Sequence, residues 1–386
     1  MRNPFTPGNG IEPAYLAGRQ EYIQEFIKSL KETEEGLPRN IVVYGLRGTG
    51  KTVLLRHYKI LAETNNWLFM DREFNERYCN ETEFAQVFGK DLIAMAAEVS
   101  IKKKIEETGK KLIESLKVEE LSGYGITYKP YHGEKREVLE DYLKELLESN
   151  WPVFEKSNKK GVVLLYDEFH LVKDKKEDQQ YVLSSLLSAI AQVQREGCRY
   201  VLCLSGLPAL KTNLKEAKTY TERMFNYQEV GNLDELEAEK ALTEPLKKTE
   251  YKFESKLVSQ VIEETQGYPY FLQFYGYFLA DNAKKANVLQ SDLVQNKNKL
   301  LKMLDKSFFE DRFNLASAME KKALLAMATC KEKEIPAKYI SKKMKLNYML
   351  MQKYLVRLID KGLIYRAQRG YYAFSVPLLQ DFLKRQ

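Results

Sequence analysis

The sequence predicts an α/β core built on a parallel sheet, followed by a helical segment and a small C-terminal module of helices and a hairpin. Three observations predict it. Short apolar runs rich in Val, Ile and Leu alternate with stretches of helical or charged sequence through the first two thirds of the chain, as in a sheet with crossover helices. After Asn232 the pattern becomes helical throughout, with an aromatic stretch in its middle. From about Leu315 it changes again, into short helices and two strand-like runs around a glycine turn.

Taken in order, Asn40 to Tyr44 (NIVVY) reads as a buried strand that enters a glycine-rich turn, and VLLRHYKILAE after the turn has helical periodicity. Further strands are expected at Trp67 to Met70, Gly161 to Tyr166 and Tyr200 to Leu204. Between Asp71 and Lys160 lies a charge-rich, mainly helical insertion interrupted by SGYGITYKPYHG, which carries no catalytic pattern. Boundaries are expected near Asn232 and Phe313. This gives a nucleotide-binding domain over 1–232 with the insertion 71–160, a helical lid over 233–313 and a C-terminal domain over 314–386.

Bulk properties narrow the class. A chain of 386 residues with 44% hydrophobic content can bury several cores. The N-terminus MRNPFTPGNG has no apolar leader, and no run approaches the roughly 18 apolar residues of a membrane span. A cytoplasmic protein with no membrane partner is the expectation. Cys79, Cys198, Cys203 and Cys330 are scattered, and with three histidines they offer no metal-ligand spacing. Charge is uneven. From Pro336 to Gln386 eleven Lys or Arg face two Asp, a net of +9, whereas the whole chain carries +7. A basic end of this kind suits nucleic acid or a solvated lysine face equally well.

The segment Gly45-Leu46-Arg47-Gly48-Thr49-Gly50-Lys51-Thr52, followed by Val53, fits G-x-x-x-x-G-K-[ST] and sits between the expected strand and helix. Glycines let backbone N–H groups turn inward to cradle phosphates at a helix N-terminus. Lys51 would neutralise β/γ-phosphate charge and the Thr52 hydroxyl would coordinate Mg²⁺. The second half of the site is Val162 to Glu168 (VVLLYDE), an apolar strand ending in two carboxylates. Acidic residues at the carboxyl end of such a strand face the cleft where ligands bind in open α/β sheets. Asp167 is expected at the metal and Glu168 at the attacking water. ATP and Mg²⁺ are therefore the expected ligands, and ATP hydrolysis the expected activity.

With these motifs the chain resembles the AAA+ superfamily, and within it the STAND-like prokaryotic ATPases related to archaeal origin-recognition ATPases. The resemblance runs from about Asn3 to Ala280 and resumes in a C-terminal winged helix. It implies that Tyr15-Leu-Ala-Gly18-Arg19 is the box near the adenine, although a plain turn before a helix reads as well. It implies a first sensor at Ser205, after the strand ending Cys203-Leu-Ser205. It implies that Arg223 in TYTERMF reaches the nucleotide of a neighbouring subunit in an ATP-dependent homo-oligomer, with a surface salt bridge as the alternative. It implies that Pro269 in Gly267-Tyr268-Pro269 packs on adenine. The chain departs from most relatives in lacking an arginine in YPYFLQFYGYF, where their second sensor would be. Asp167-Glu168-Phe169-His170 also fits the D-E-x-H string of helicases, but the sequence after Asn232 is too short for the second RecA-like domain such an enzyme needs.

In the C-terminal module, helices are expected at Glu320 to Thr329, Pro336 to Lys343 and Asn347 to Lys361. Met351, Leu355, Leu358 and Ile359 form the buried face of the third, and Gly362 caps it. Leu363 to Arg366 and Tyr371 to Phe374 would make the wing. The third helix is expected to expose Gln352, Lys353 and Arg357, and the wing Arg366 and Arg369, which suits double-stranded DNA. A winged helix that binds protein or clamps the nucleotide domain is the alternative.

Overall fold

The computed structural model of the chain describes residues 3–8, 10–108, 131 and 138–386, with 101–108 described as helix backbone only. It divides into two compact units, one of residues 20–45 and 51–229, the other of residues 1–19, 46–50 and 230–386.

The first unit is the α/β core. Its elements are α1 (Gln20–Glu34), β1 (Asn40–Tyr44), α2 (Lys51–Thr64), β2 (Leu68–Glu73), α3 (Glu81–Thr108), α4 (Leu139–Lys156), β3 (Val162–Asp167), α5 (Val182–Arg195), β4 (Tyr200–Gly206), α6 (Ala209–Ala217), α7 (Thr221–Met224) and β5 (Phe225–Glu229). The five strands are all parallel, in the order β2-β3-β4-β1-β5. All residues of β1, β3 and β4 are buried, as expected of strands covered by helices on both faces. The register sets Glu73 opposite Asp167 and Val43 opposite Ser205, so the polar residues gather at one edge. Two features differ from expectation. Strand β2 continues to Glu73, so Asp71, taken as the start of the insertion, lies in the sheet. Edge strand β5 was not anticipated, because FNYQE is half polar and lacks an apolar run. Most of SGYGITYKPYHG lies outside the described residues; its Tyr131 is buried, 5.1 Å from the Tyr142 ring.

The second unit is mostly helical. It contains α8 (Glu235–Thr243), β6 (Lys252–Phe253), α9 (Ser255–Thr265), α10 (Pro269–Asp281), β7 (Asn287–Val288), α11 (Gln290–Leu304), α12 (Glu310–Asn314), α13 (Ala318–Ala328), β8 (Ile335–Pro336), α14 (Ala337–Met344), α15 (Tyr348–Asp360), β9 (Ile364–Gln368), β10 (Tyr371–Phe374) and α16 (Leu379–Lys384). The aromatic stretch becomes α10, and Phe271, Phe274, Tyr275 and Phe278 are buried in the unit's core, which leaves those rings unavailable for stacking on bases. The N-terminal segment, assigned from sequence to the nucleotide-binding domain, packs here instead: Phe5 is buried and stacks on Phe253 at 5.9 Å, and Asn3 Nδ2 donates to the Tyr277 carbonyl at 2.9 Å.

Position 313, the expected boundary, falls inside a helix. Helices α11 and α12 are joined by a π turn at Asp305–Phe309, so the backbone stays helical from Gln290 to Asn314. Phe308 and Phe309 are buried, and Phe309 and Phe313 approach Phe382 at 5.2 and 5.8 Å. The apolar anchor of the C-terminal module therefore begins upstream of residue 314. Beyond it come three helices, α13 to α15, and an antiparallel sheet in the order β8-β10-β9, the element order of the expected fold. Met351, Leu355 and Leu358 are buried and Ile359 packs partly against them. Gly362 follows α15 with φ +67°, the left-handed conformation in which glycine carries no steric cost. Gln352 departs from expectation. It is half-buried, and its Oε1 accepts a hydrogen bond from the Tyr372 hydroxyl of β10 at 2.8 Å. Helical spacing gives the face of α15, but not which part of that face the hairpin covers.

Candidate functional site

Asp167 is the centre of the α/β unit's polar edge. Its Oδ2 accepts from the Thr52 hydroxyl at 2.6 Å, and its Oδ1 accepts from the Ser205 hydroxyl at 2.7 Å and from the Glu168 amide at 2.8 Å. Asp167 and Ser205 are buried, and Lys51, the first residue of α2, is 5% exposed. Two strands and a helix N-terminus thus converge on one carboxylate. The cause lies in the sequence: β3 ends in its only acid, β4 ends in Ser205-Gly206, and Gly45, directly after β1, donates its amide to the Gly206 carbonyl at 3.2 Å. Burial, with the Asp167 charge adding to it, pushes the Cys203 thiol well up, which makes it an inert part of the core.

Glu168 has φ +53° and ψ +25°, a left-handed backbone in a residue that is not glycine. Such strain persists where the surroundings impose it, and functional sites are where it clusters. His170 lies in the 3₁₀ turn Phe169–Leu171 that follows, is buried, and holds its Nε2 3.8 Å from Glu168 Oε2. Sequence reasoning gave His170 no role beyond starting that turn. Its carbonyl also accepts from Asn213 Nδ2 at 2.9 Å.

Residues Leu46–Gly50, the crown of the glycine-rich loop, group with the helical unit. Gly48 and Gly50 have φ of +76° and +94°, so the loop turns where only glycine does so cheaply. Thr49 Oγ1 donates to the Leu46 carbonyl at 2.9 Å, closing the turn on itself. Arg19 is buried, and its Nη2 donates to the carbonyls of Thr49 and Gly231 at 2.9 Å each. The Tyr268 hydroxyl donates to the Arg47 carbonyl, and a side chain at Gly48 would run into that phenol. Pro269 is half-buried at the first position of α10, behind Gly267 at φ +69°. Arg19 and Tyr268 thus brace the crown through its own carbonyls.

Arg223 lies on the short α7, exposed, with no ion pair among the described residues. Val53 continues the first turn of α2 behind Thr52. Among the described residues no group of three or more His, Cys, Asp or Glu could hold a metal by itself, and no helix is long and apolar enough to cross a membrane. The donor set at Asp167, hydroxyl and carboxylate oxygens, matches a hard cation that takes its remaining ligands from phosphate and water.

The comparisons with known proteins agree with this geometry. Residues 15–202 match the AAA ATPase domain family, and residues 306–383 match a domain family of unknown function, DUF8462. The comparison with curated proteins gives no match. Among solved structures, the Walker-type ATPase PABY2304 of Pyrococcus abyssi superposes with a TM-score of 0.62 at 15% identity, over 96% of each chain. Cdc6p from Pyrobaculum aerophilum gives a TM-score of 0.47 at 14% identity, over 98% of this chain and 96% of that one. The Aeropyrum pernix ORC1 protein, solved in complex with DNA, gives 0.44 at 12% identity, over 97% and 94%. At 15% identity the likeness to the Pyrococcus abyssi ATPase is one of fold. Over residues 15–202, then, the chain matches the AAA ATPase domain family, on an α/β P-loop fold of the AAA+ class.

Proposed function

We propose that the protein is an ATP-binding and hydrolysing switch whose nucleotide state governs binding of duplex DNA by its C-terminal winged helix. The observation that carries the nucleotide half is the Thr52–Asp167–Ser205 cluster at the end of a buried strand. In this reading the loop amides and Lys51 hold the β/γ-phosphates, and Thr52 and Asp167 supply oxygen ligands to Mg²⁺. Mg²⁺, held there by these oxygens, would offset the phosphate charge. Ser205 fixes the rotamer of Asp167 through its hydrogen bond. Glu168, held in a strained backbone, orients and polarises the attacking water, and His170 borders its carboxylate. Arg19 and Tyr268 shape the nucleotide's surroundings by bracing the loop, and Pro269 packs on the adenine. Arg223, exposed and without an ion pair among the described residues, acts on the nucleotide of a second copy in an ATP-dependent homo-oligomer.

The DNA half is supported by charge and exposure. Lys353 and Arg357 on α15, and Arg366 and Arg369 in the hairpin, are all exposed in a segment of net +9. Cations so placed release counterions condensed on a phosphate backbone. A second reading has its own observation. Met349 is 79% exposed, Tyr348 51% and Val356 46%, an apolar group on the same helix, and such groups serve protein interfaces. The test is fluorescence anisotropy of labelled duplex DNA with the full-length protein, with and without ATP, from low to physiological salt. Salt-sensitive binding that changes with ATP is expected. Absence of binding at micromolar protein and low salt removes DNA and leaves an ATPase switch with a protein partner.

A further inference from the structure

Two arginines of the helical unit, Arg47 and Arg312, each have part of the side chain withdrawn from solvent. Arg47 projects from the loop crown, and its Nε is buried without a hydrogen-bond acceptor. Arg312, on α12, is half-buried, and its guanidinium lies over the Phe308 ring at 3.6 Å with Nη1 donating to the Phe308 carbonyl at 2.7 Å. Neither forms an ion pair with a carboxylate among the described residues. They are near enough to affect one another. Burial pushes the Arg312 guanidinium below the usual arginine range, with Tyr268 opposing that shift and the charge of Arg47 adding to it. An arginine stays charged nonetheless, so Arg312 is a half-buried cation with no ion pair among the described residues, an arrangement that favours an anion beside it.

The contacts that hold Arg312 there are specific. Phe308 packs on Phe271 at 5.0 Å and Tyr270 at 4.8 Å, Phe271 packs on Tyr268 at 4.7 Å, and Tyr268 bonds the Arg47 carbonyl. A continuous aromatic path thus runs from the loop crown to the base of Arg312, and it begins in the loop that the proposed function assigns to phosphate.

We propose that Arg312, delivered by the helix that opens the C-terminal module, is a phosphate-binding residue that acts with Arg47 on the polyphosphate of a nucleotide held at the loop crown. The inference rests on the nucleotide-binding reading above and deepens it. The module that carries the proposed output surface thereby touches the ligand itself. It also supplies a cation that the sequence of α10 lacks, since YPYFLQFYGYF contains no arginine.

The test uses the full-length protein and three probes: fluorescent ATP, with inorganic tripolyphosphate and adenosine as competitors. Arg312→Gln should weaken ATP and tripolyphosphate by about tenfold, the effect of losing one charge-assisted hydrogen bond, and leave competition by adenosine unchanged. Arg312→Lys, which keeps the charge but not the planar fork, should recover part of the loss. Thermal denaturation without ligand reports whether each variant folds. Arg47→Gln, at a half-exposed loop position, gives the same selective loss and serves if Arg312→Gln does not fold. Unchanged ATP and tripolyphosphate affinity in both variants overturns the inference, and so does an equal loss for adenosine, which would mark Arg312 as a packing residue. Wild-type protein that binds neither ATP nor tripolyphosphate overturns the nucleotide reading and this inference with it. Tight wild-type binding that Lys51→Ala removes and the arginine variants do not overturns this inference alone.

Discussion

In the proposed function, the polar edge of the parallel sheet and the exposed face of the third helix in the C-terminal module would bind phosphate-rich ligands in opposite ways. At the sheet edge, Thr52, Asp167 and Ser205 are joined by hydrogen bonds of 2.6 and 2.7 Å, two of them fully buried, at the ends of strands whose register is fixed. On the module, Lys353, Arg357, Arg366 and Arg369 stand in solvent without ion pairs among the described residues. The first surface is preorganised, so each atom has one place and one task. The second is a distribution of charge, in which each residue contributes a similar small share and none is indispensable. Loss of one group should therefore be nearly total at the sheet and fractional on the module.

The comparison can be broken at four points, in decreasing order of expected effect. Lys51→Ala should lower ATP affinity by more than about 100-fold, because it removes the cation aimed at the β/γ-phosphates. Equilibrium titration with a fluorescent nucleotide checks this, and retained affinity would mean the loop does not bind phosphate. Glu168→Gln should keep ATP affinity while slowing hydrolysis by about 10³-fold, read by phosphate release in single-turnover experiments. A carboxylate without a role in hydrolysis would give near wild-type rates. Arg223→Ala should reduce turnover by about 10²-fold, but only at protein concentrations where wild-type activity per protomer has risen through self-association. Activity per protomer independent of concentration would rule out a task in trans. Smallest is Lys353→Ala, expected to reduce the magnitude of the log–log salt slope of DNA binding by about 1, whereas Met349→Ser leaves the slope unaltered. A larger effect from Met349 than from Lys353 would move the module toward the protein-binding reading.

How far the sequence discloses these features depends on how local their causes are. The glycine-rich loop and the acidic end of β3 are contiguous strings whose residue types carry their own chemistry, so both are legible directly. Ser205 enters the sequence reading only through the resemblance, since it meets Asp167 because β4 lies beside β3. Strand β5 is invisible because an edge strand needs no continuous apolar run, and FNYQE offers none. Gln352 shows the limit of helical periodicity, which places it on the outer face of α15 but cannot tell that Tyr372 of the hairpin folds over it. The N-terminal segment was assigned to the sheet by proximity in sequence, whereas Phe5 finds its apolar partners around Phe253 and Gly276. Arg312 lies furthest from view, 265 positions after Arg47 in the chain, and no local pattern links the two.

The π turn at Asp305–Phe309 bears on that last point. An α-helix advances by about 100° per residue, so the extra residue accommodated in a π turn shifts the angular phase of everything that follows by about that amount. In this chain the phase set at residues 305–309 turns Phe308 under Arg312 and Phe309 toward Phe382. Removing one exposed residue from the turn, such as Ser307, would leave a plain helix of equal quality and swing both aromatics away from their partners. The turn is thus an indexing step in the helix, and a single-residue deletion there would mis-time the module's rotation without unfolding it.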